Sequence, residues 1–241
     1  MKSVLVTGSS RGIGRETALL FARHGYQTAI NCCHSADELS QVKHEIESLG
    51  VPCLSFLADV GNYEEASHMV ASIYQEWGEL SVLVNNAGAA FIGLFQDMSP
   101  KEYQQLLQTN LLSVLNCCHL VIPNMVRLHK GKIINVSSIW GISGASCEAV
   151  YSASKGAINS FTKALGKELA PSGIQVNTVA CGVIDTEMNS CLSIEEKEAL
   201  QQEIPAGRFG SALEAAELIY ALASGHNYLN GQIITLDGGF L

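Results

Sequence analysis

The stretch Val4-Leu5-Val6-Thr7-Gly8-Ser9-Ser10-Arg11-Gly12-Ile13-Gly14 decides the reading of this chain. Three apolar β-formers run into a glycine-rich turn. The turn opens a helical pattern from Ile13 to His24, with Ala18, Leu19 and Ala22 on one face. Glycines let backbone N–H groups approach a ligand without a Cβ in the way, and a helix N-terminus adds donors and positive dipole. Together they suit a pyrophosphate. The spacing is G-x-x-x-G-x-G, not the G-x-G-x-x-G of the general dinucleotide fingerprint. Its place at the first strand–helix junction gives it weight. The competing reading is a tight turn with no ligand.

Beyond this stretch, short β-rich runs alternate with helical stretches. Strands are read at Thr28–Ile30, Cys53–Leu57, Val82–Val84, Ile133–Val136, Ile174–Asn177 and Ile233–Leu236. Helices are read at Asp37–Leu49, Tyr63–Trp77, Pro100 to about Arg127, and Tyr151–Leu169. This alternation predicts one α/β domain over residues 1–241, a doubly wound Rossmann arrangement of about seven parallel strands with helices on both faces. The segment from Glu187 to Gly210 breaks the rhythm and reads as a lid inserted over the ligand crevice.

Composition narrows the classes. Hydrophobic residues make up 47% of the 241 and charged residues 15%, which supplies a core and argues against disorder. The net charge of −9 repels phosphate backbones, so nucleic acid is not an expected partner. The apolar run after Met1 ends at Gly8, too soon for a signal peptide. No uninterrupted apolar stretch approaches the ~20 residues that span a bilayer, so the expected location is the cytoplasm. Cysteines fall at 32, 33, 53, 117, 118, 147, 181 and 191 without C-x-x-C spacing. They read as reduced thiols and not as a zinc site; no metal is expected. A reactive thiol at Cys147 or Cys181 is the alternative.

The end of the second strand bears on cofactor choice. NAD enzymes place a carboxylate ~20 residues past the glycines, to hold the ribose 2′-hydroxyl. Here the stretch reads Asn31-Cys32-Cys33-His34, and the first acid is Asp37. Without that carboxylate a 2′-phosphate is not repelled, and Arg11 can pair with it. NADPH is therefore expected ahead of NADH.

The glycine loop, Asn85-Asn86-Ala87-Gly88 after the fourth strand, Ser137-Ser138 after the fifth, and Tyr151-Ser152-Ala153-Ser154-Lys155 together resemble the short-chain dehydrogenase/reductase family, from Val4 to Gly239. The resemblance implies a homotetrameric NADP-dependent oxidoreductase acting on C=O and CH–OH groups. It also implies a catalytic set of Asn110, Ser138, Tyr151 and Lys155, with Asn110 positioning a water in the proton relay. Cofactor contacts would come from Gly8, Ser10, Arg11, Gly12, Ile13, Gly14, Asp59, Val60, Asn86, Ala87, Gly88, Ile184 and Thr186. Tyr151 and Lys155 would join them, the lysine on the nicotinamide ribose. Asp59 has a second reading as a helix N-cap. The family's proline after strand six is Cys181 here.

The residues themselves support such chemistry. Tyr151 and Lys155 stand at i and i+4 on one helix face. A lysine cation ~4 Å away would favour tyrosinate by up to ~4 kcal/mol at an effective dielectric of ~20, a fall of about three pKa units before desolvation is counted. Ser138 can hydrogen-bond a carbonyl oxygen as it becomes an alkoxide.

Substrate identity divides between two subgroups. Gly207-Arg208-Phe209-Gly210, Asn230-Gly231-Gln232 and Asp237-Gly238-Gly239 look like the 3-oxoacyl-[acyl-carrier-protein] reductases, although His129 and Ser172 stand where basic carrier-docking residues are usual. Trp140-Gly141, Gly144 to Glu148, and Gly182 to Asn189 resemble reductases of a lysine-borne 5-aminopentanone on elongation factor P. Glu148 could meet a cationic amine there, or could simply favour a helix start. A dinucleotide-binding regulator without catalysis is the reading from another class.

Overall fold

The computed structural model describes residues 1–190 and 192–241, so Cys191 lies outside the described residues. The opening strand β1 (Ser3–Val6) is buried along its whole length. A strand apolar on both faces needs cover on both, which is the environment of a parallel sheet between two helical layers. The chain continues through α1 (Gly12–Arg23), β2 (Gln27–Cys32), α2 (Ala36–Ser48), β3 (Cys53–Leu57), α3 (Tyr63–Trp77) and β4 (Val82–Asn85). Then come α4 (Pro100–Leu107), α5 (Ser113–Leu128), β5 (Gly131–Ser138), the single turn α6 (Trp140–Ser143), α7 (Ala149–Leu169) and β6 (Ile174–Cys181). The last elements are β7 (Ile184–Asp185), α8 (Ile194–Glu203), β8 (Gly210–Ser211), α9 (Ala212–Ser224) and β9 (Ile233–Leu236).

Seven strands form one sheet in the order β3-β2-β1-β4-β5-β6-β9, with every pairing parallel. This is the doubly wound Rossmann-type arrangement. Alternate side chains divide between two cores. Val4, Val6, Val84 and Ile134 pack with Phe21, Ile46 and Ile219 of α1, α2 and α9. Leu5, Leu83, Ile133 and Val176 pack with Ile73, Val121 and Ile158 of α3, α5 and α7. The strand order reverses between β1 and β4, so the loops after those strands diverge and leave a crevice at their C-terminal ends.

A buried polar chain runs through the second layer. Asn85 on β4 donates to Asn135 on β5 at 2.8 Å, and Asn135 donates to the Thr162 hydroxyl on α7 at 2.8 Å. The Thr162 and Thr178 hydroxyls share a hydrogen bond at 2.7 Å, carrying the chain to β6.

The structure departs from the sequence reading in three places and adds detail in the inserted segment. The alternation left Ala212–Ser224 unassigned; there α9 forms, started by a capping box between Ser211 and Glu214, and its apolar face covers α1. The long helical region from Pro100 is not one α-helix. A π turn at Gln108–Leu112 separates α4 from α5. The inserted segment holds a 3₁₀ turn at Glu187–Asn189 and the exposed α8, and it ends where β8 pairs with β7. Finally, the continuous helical run Pro100–Leu128 is 29 residues with a mean hydropathy of 1.4 in its best window, long and apolar enough to cross a membrane by length and composition. Counting only uninterrupted apolar residues hid this, because Ser113, Asn116 and His119 are scattered through it. In the fold, Cys117, Cys118, Val121 and Met125 of that run lie in the second core. Among the described residues the cysteines are free, and five of the seven are buried.

Phe21 anchors α9 to α1, meeting Tyr26 and Tyr220 edge-on at 5.0 and 5.2 Å between ring centroids. Replacing Phe21 with Ala should lower unfolding free energy by ~3–5 kcal/mol, read as a shift in the urea midpoint.

Candidate active site

The glycine loop is built by its neighbours as much as by its own residues. Gly8 and Gly12 take φ of 63° and 54°, the left-handed region that favours glycine. Gly14 has another reason to be glycine: a Cβ there would collide with the Gly8 carbonyl and the Asn86 amide. That amide donates to the Thr7 and Gly8 carbonyls at 3.0 and 2.9 Å. In return the Thr7 hydroxyl accepts the backbone N–H groups of Asn86 and Ala87 at 3.0 and 3.1 Å. The loops after β1 and β4 are thus tied together across the crevice. The first N–H groups of α1 open toward it, with no acidic residue in the first turn to oppose an anion.

The crevice is a cleft of about 1010 Å³. That is at the top of the ~300–1,000 Å³ common for ligand pockets, and it suits a dinucleotide with a substrate beside it. Every residue assigned to cofactor contact from the sequence lines it except Gly14, which lies under the loop and packs. Cys32, Cys33, His34 and Ser35 line the end beyond β2, with no carboxylate among them. The Asn31 amide is committed to the Phe56 and Ala58 carbonyls at 3.2 and 2.9 Å. Asp59 is not a helix cap: Asn62 caps α3, while the Asp59 carboxylate accepts from Gly61 N–H at 2.8 Å and from Gln108 at 3.4 Å.

At the other end, Ser138 closes β5 while Tyr151 and Lys155 project from α7. The Lys155 ammonium donates to the Val136 carbonyl at 3.0 Å and sits 5.7 Å from the centroid of the Tyr151 ring. Burial brings it down to about 8. The expected depression of the Tyr151 phenol by lysine is not what the site does. Burial pushes the phenol up to about 12, against a hydrogen bond from Ser138 that favours the anion; the charges of Glu148 and Cys181 add to the rise. Desolvation dominates because the tyrosine is 9% exposed and the lysine is held by a carbonyl. The phenol is a firmly protonated acid, and the lysine is a cation that titrates not far above neutrality.

Asn110 lies in the π turn, is wholly buried, and does not line the cleft. Its amide exchanges hydrogen bonds with the Ala89 backbone, N–H to oxygen at 2.8 Å and amide to carbonyl at 2.9 Å, and reaches Ser154 at 3.2 Å. Ser154 in turn donates to the Tyr151 carbonyl at 2.7 Å. Ser154 had no signal in the sequence beyond standing three residues after Tyr151. Cys181, register partner of Ser138, lines the cleft with its thiol pushed up to about 12 by burial, so it is not poised as a thiolate. Glu148 is half-buried at the mouth, its carboxyl raised by burial and held by a hydrogen bond from the Trp140 indole. Trp140 packs edge-on against Phe240 at 5.7 Å.

Comparison with known proteins gives the same picture from another side. The short chain dehydrogenase family model matches residues 2–197. The 3-oxoacyl-[acyl-carrier-protein] reductase FabG of Staphylococcus aureus is 40% identical over 239 residues, covering 99% of this chain and 97% of its own. The protein of that name from Thermotoga maritima is 37% identical over 241 residues, covering 100% and 98%. The uncharacterized oxidoreductase YmfI of Bacillus subtilis is 36% identical over 241 residues, covering 99% and 98%. With the cradle, the cleft and the Ser138–Tyr151–Lys155 cluster all in place on this sheet, the chain belongs to the short-chain dehydrogenase family.

Proposed function

We propose that this protein is an NADPH-dependent reductase of 3-oxoacyl thioesters carried on acyl carrier protein, yielding the 3-hydroxyacyl form. The observation that carries the reading is the convergence of Ser138, Tyr151 and Lys155 on the same cleft as the glycine loop, in a chain 40% identical to proteins named for that reaction. The reading includes a homotetramer working in the cytoplasm.

The cradle fits the cofactor. Gly8, Ser10, Gly12 and Ile13 bring backbone to the pyrophosphate, with Gly14 packing beneath them, and Arg11 meets the 2′-phosphate. Asp59 and Val60 face the adenine, and Asn86, Ala87 and Gly88 the ribose. Ile184 and Thr186 hold the carboxamide side. The bound cofactor supplies a hydride. Ser138 hydrogen-bonds the substrate carbonyl oxygen and steadies its growing charge. Tyr151, protonated in its buried setting, gives that oxygen a proton. The Lys155 cation then stabilises the tyrosinate; the Asn110 side chain, spent on Ala89 and Ser154, does not hold a relay water in the cleft as the resemblance implied, but braces the Ala89 backbone and the turn that carries Tyr151. Residues 187–210 close over the substrate.

A second reading, reduction of a lysine-borne aminoketone on elongation factor P, is favoured by two observations. Glu148 puts a carboxylate at the mouth of the cleft. Two of the three cations near the usual carrier-docking position are engaged internally: Lys130 pairs with Glu79 at 3.3 Å, and Lys132 donates to the Leu222 and Gly225 carbonyls.

The deciding assay follows NADPH oxidation with acetoacetyl-CoA. Turnover is expected, and Tyr151→Phe should lower kcat by ~10²–10⁴-fold while NADPH still binds. NADPH binding without turnover would move the assignment to the aminoketone, or to a non-catalytic regulator if that also fails. On the aminoketone reading, Glu148→Gln raises KM for a cationic ketone and does not raise it for acetoacetyl-CoA. The pH profile of kcat/KM for NADPH, which reports the free enzyme, should be level well below 8, reach half its plateau at about 8 and fall above it as Lys155 loses its proton. Tyr151 stays protonated through that range.

A further inference from the structure

Arg11 and Glu187 are 176 positions apart in sequence and meet across the cleft, Nη1 to Oε2 at 3.1 Å. Both line the cavity that receives the cofactor. Around them the base of the inserted segment is seated on the glycine loop: a Cβ on Gly12 would lie 3.3 Å from the Thr186 methyl. The turn carrying Glu187 is itself fixed, since Asn189 donates to the Ile184 carbonyl at 2.7 Å. Arg11 also lies near enough to the end of β2 for its charge to be felt at Cys32. Its guanidinium therefore stands between two stations, the end of β2 and the inserted segment. Among the described residues Arg11 is the one arginine lining the cleft, and its remaining lysines stand elsewhere, Lys155 buried at the reacting end and Lys101 on α4.

We propose that Glu187 is a specificity-determining residue for the cofactor: it holds Arg11 at the inserted segment and competes with the 2′-phosphate for it. The proposal rests on the reading of Arg11 as the phosphate's partner. Glu187 holds the guanidinium through Nη1, so a phosphate that takes Nη1 as one of its two donors displaces the carboxylate, and the two anions repel. Seating NADP(H) thus frees the Glu187 carboxylate from Arg11, while NAD(H), with a neutral 2′-hydroxyl, leaves the pair intact. By reciprocity, whatever draws Glu187 away from Arg11 favours the phosphorylated cofactor. The pair is exposed, 59% and 65% for the two side chains, so the competition is worth a small factor.

The test is calorimetric titration of the full chain with NADP⁺ and NAD⁺, for the native sequence, Glu187→Gln, Arg11→Ala and the double variant. Glu187→Gln is expected to tighten NADP⁺ by ~2- to 5-fold at low salt and leave NAD⁺ unchanged. The gain should vanish in 1 M salt, where the Debye length is ~3 Å, and vanish in the Arg11→Ala background. If Arg11→Ala weakens NADP⁺ but Glu187→Gln changes nothing, or tightens both cofactors alike, the competition is wrong and the Arg11 reading stands. If Arg11→Ala leaves NADP⁺ binding unchanged, the Arg11 reading fails and the proposal fails with it.

Discussion

Thr7 and Asn86 hold the ends of β1 and β4 together at the point where the strand order turns back, and the cleft exists in its present form because they do. A parallel sheet covered on both faces sends every strand C-terminus to one edge. The reversal there opens a gap that would otherwise expose loop backbone. Four hydrogen bonds between Thr7, Gly8, Asn86 and Ala87 close the floor of that gap while leaving the first N–H groups of α1 free. The requirement for glycine at position 14 follows from the same tie, because the Asn86 amide takes the space a side chain would need.

Burial governs the reacting end. Tyr151 and Lys155 share a helix face, but both are pushed toward their neutral forms, the phenol up and the ammonium down. A phenol so placed keeps its proton, and a cation already fixed beside it needs little reorganisation to meet a negative charge. The Val136 carbonyl keeps that cation in place. Asn110 stands a layer behind, bracing the Ala89 backbone and, through Ser154, the turn that carries Tyr151.

Local signals made much of this legible in the sequence. Val4 to Val6 as a continuous apolar run predicts a strand buried on both faces, and the glycine loop predicts the crevice. Spacing places Tyr151 beside Lys155. What local signals could not convey is the balance of forces after burial: desolvation was named as opposing the lysine, but its size, which turns the Tyr151 shift upward, depends on the packed site. The π turn at Gln108–Leu112 is likewise a product of packing: nothing in Gln-Thr-Asn-Leu-Leu breaks an α-helix, yet the turn brings Asn110 to Ala89 and Gln108 to Asp59. The pair Arg11–Glu187 depends on the segment after β6 folding back past β5 and β4 to the end of β1. Helix α9 was readable, since Ser211 and Glu214 form a capping box ahead of an alanine-rich run.

The chain of amides and hydroxyls from Asn85 through Asn135 and Thr162 to Thr178 has a consequence that precedes any ligand. It joins β4, β5, β6 and α7, each from a different part of the sequence, by one hydrogen bond at each step. Parallel sheets assemble from distant segments and so fold slowly, with time to explore wrong pairings. An apolar core would forgive a strand docked two residues out of step, since one valine resembles another. Here such a slip would strand buried amides without partners, at ~1–3 kcal/mol each. The network therefore acts as a proofreading device for strand register, widening the gap between the native sheet and its near misses.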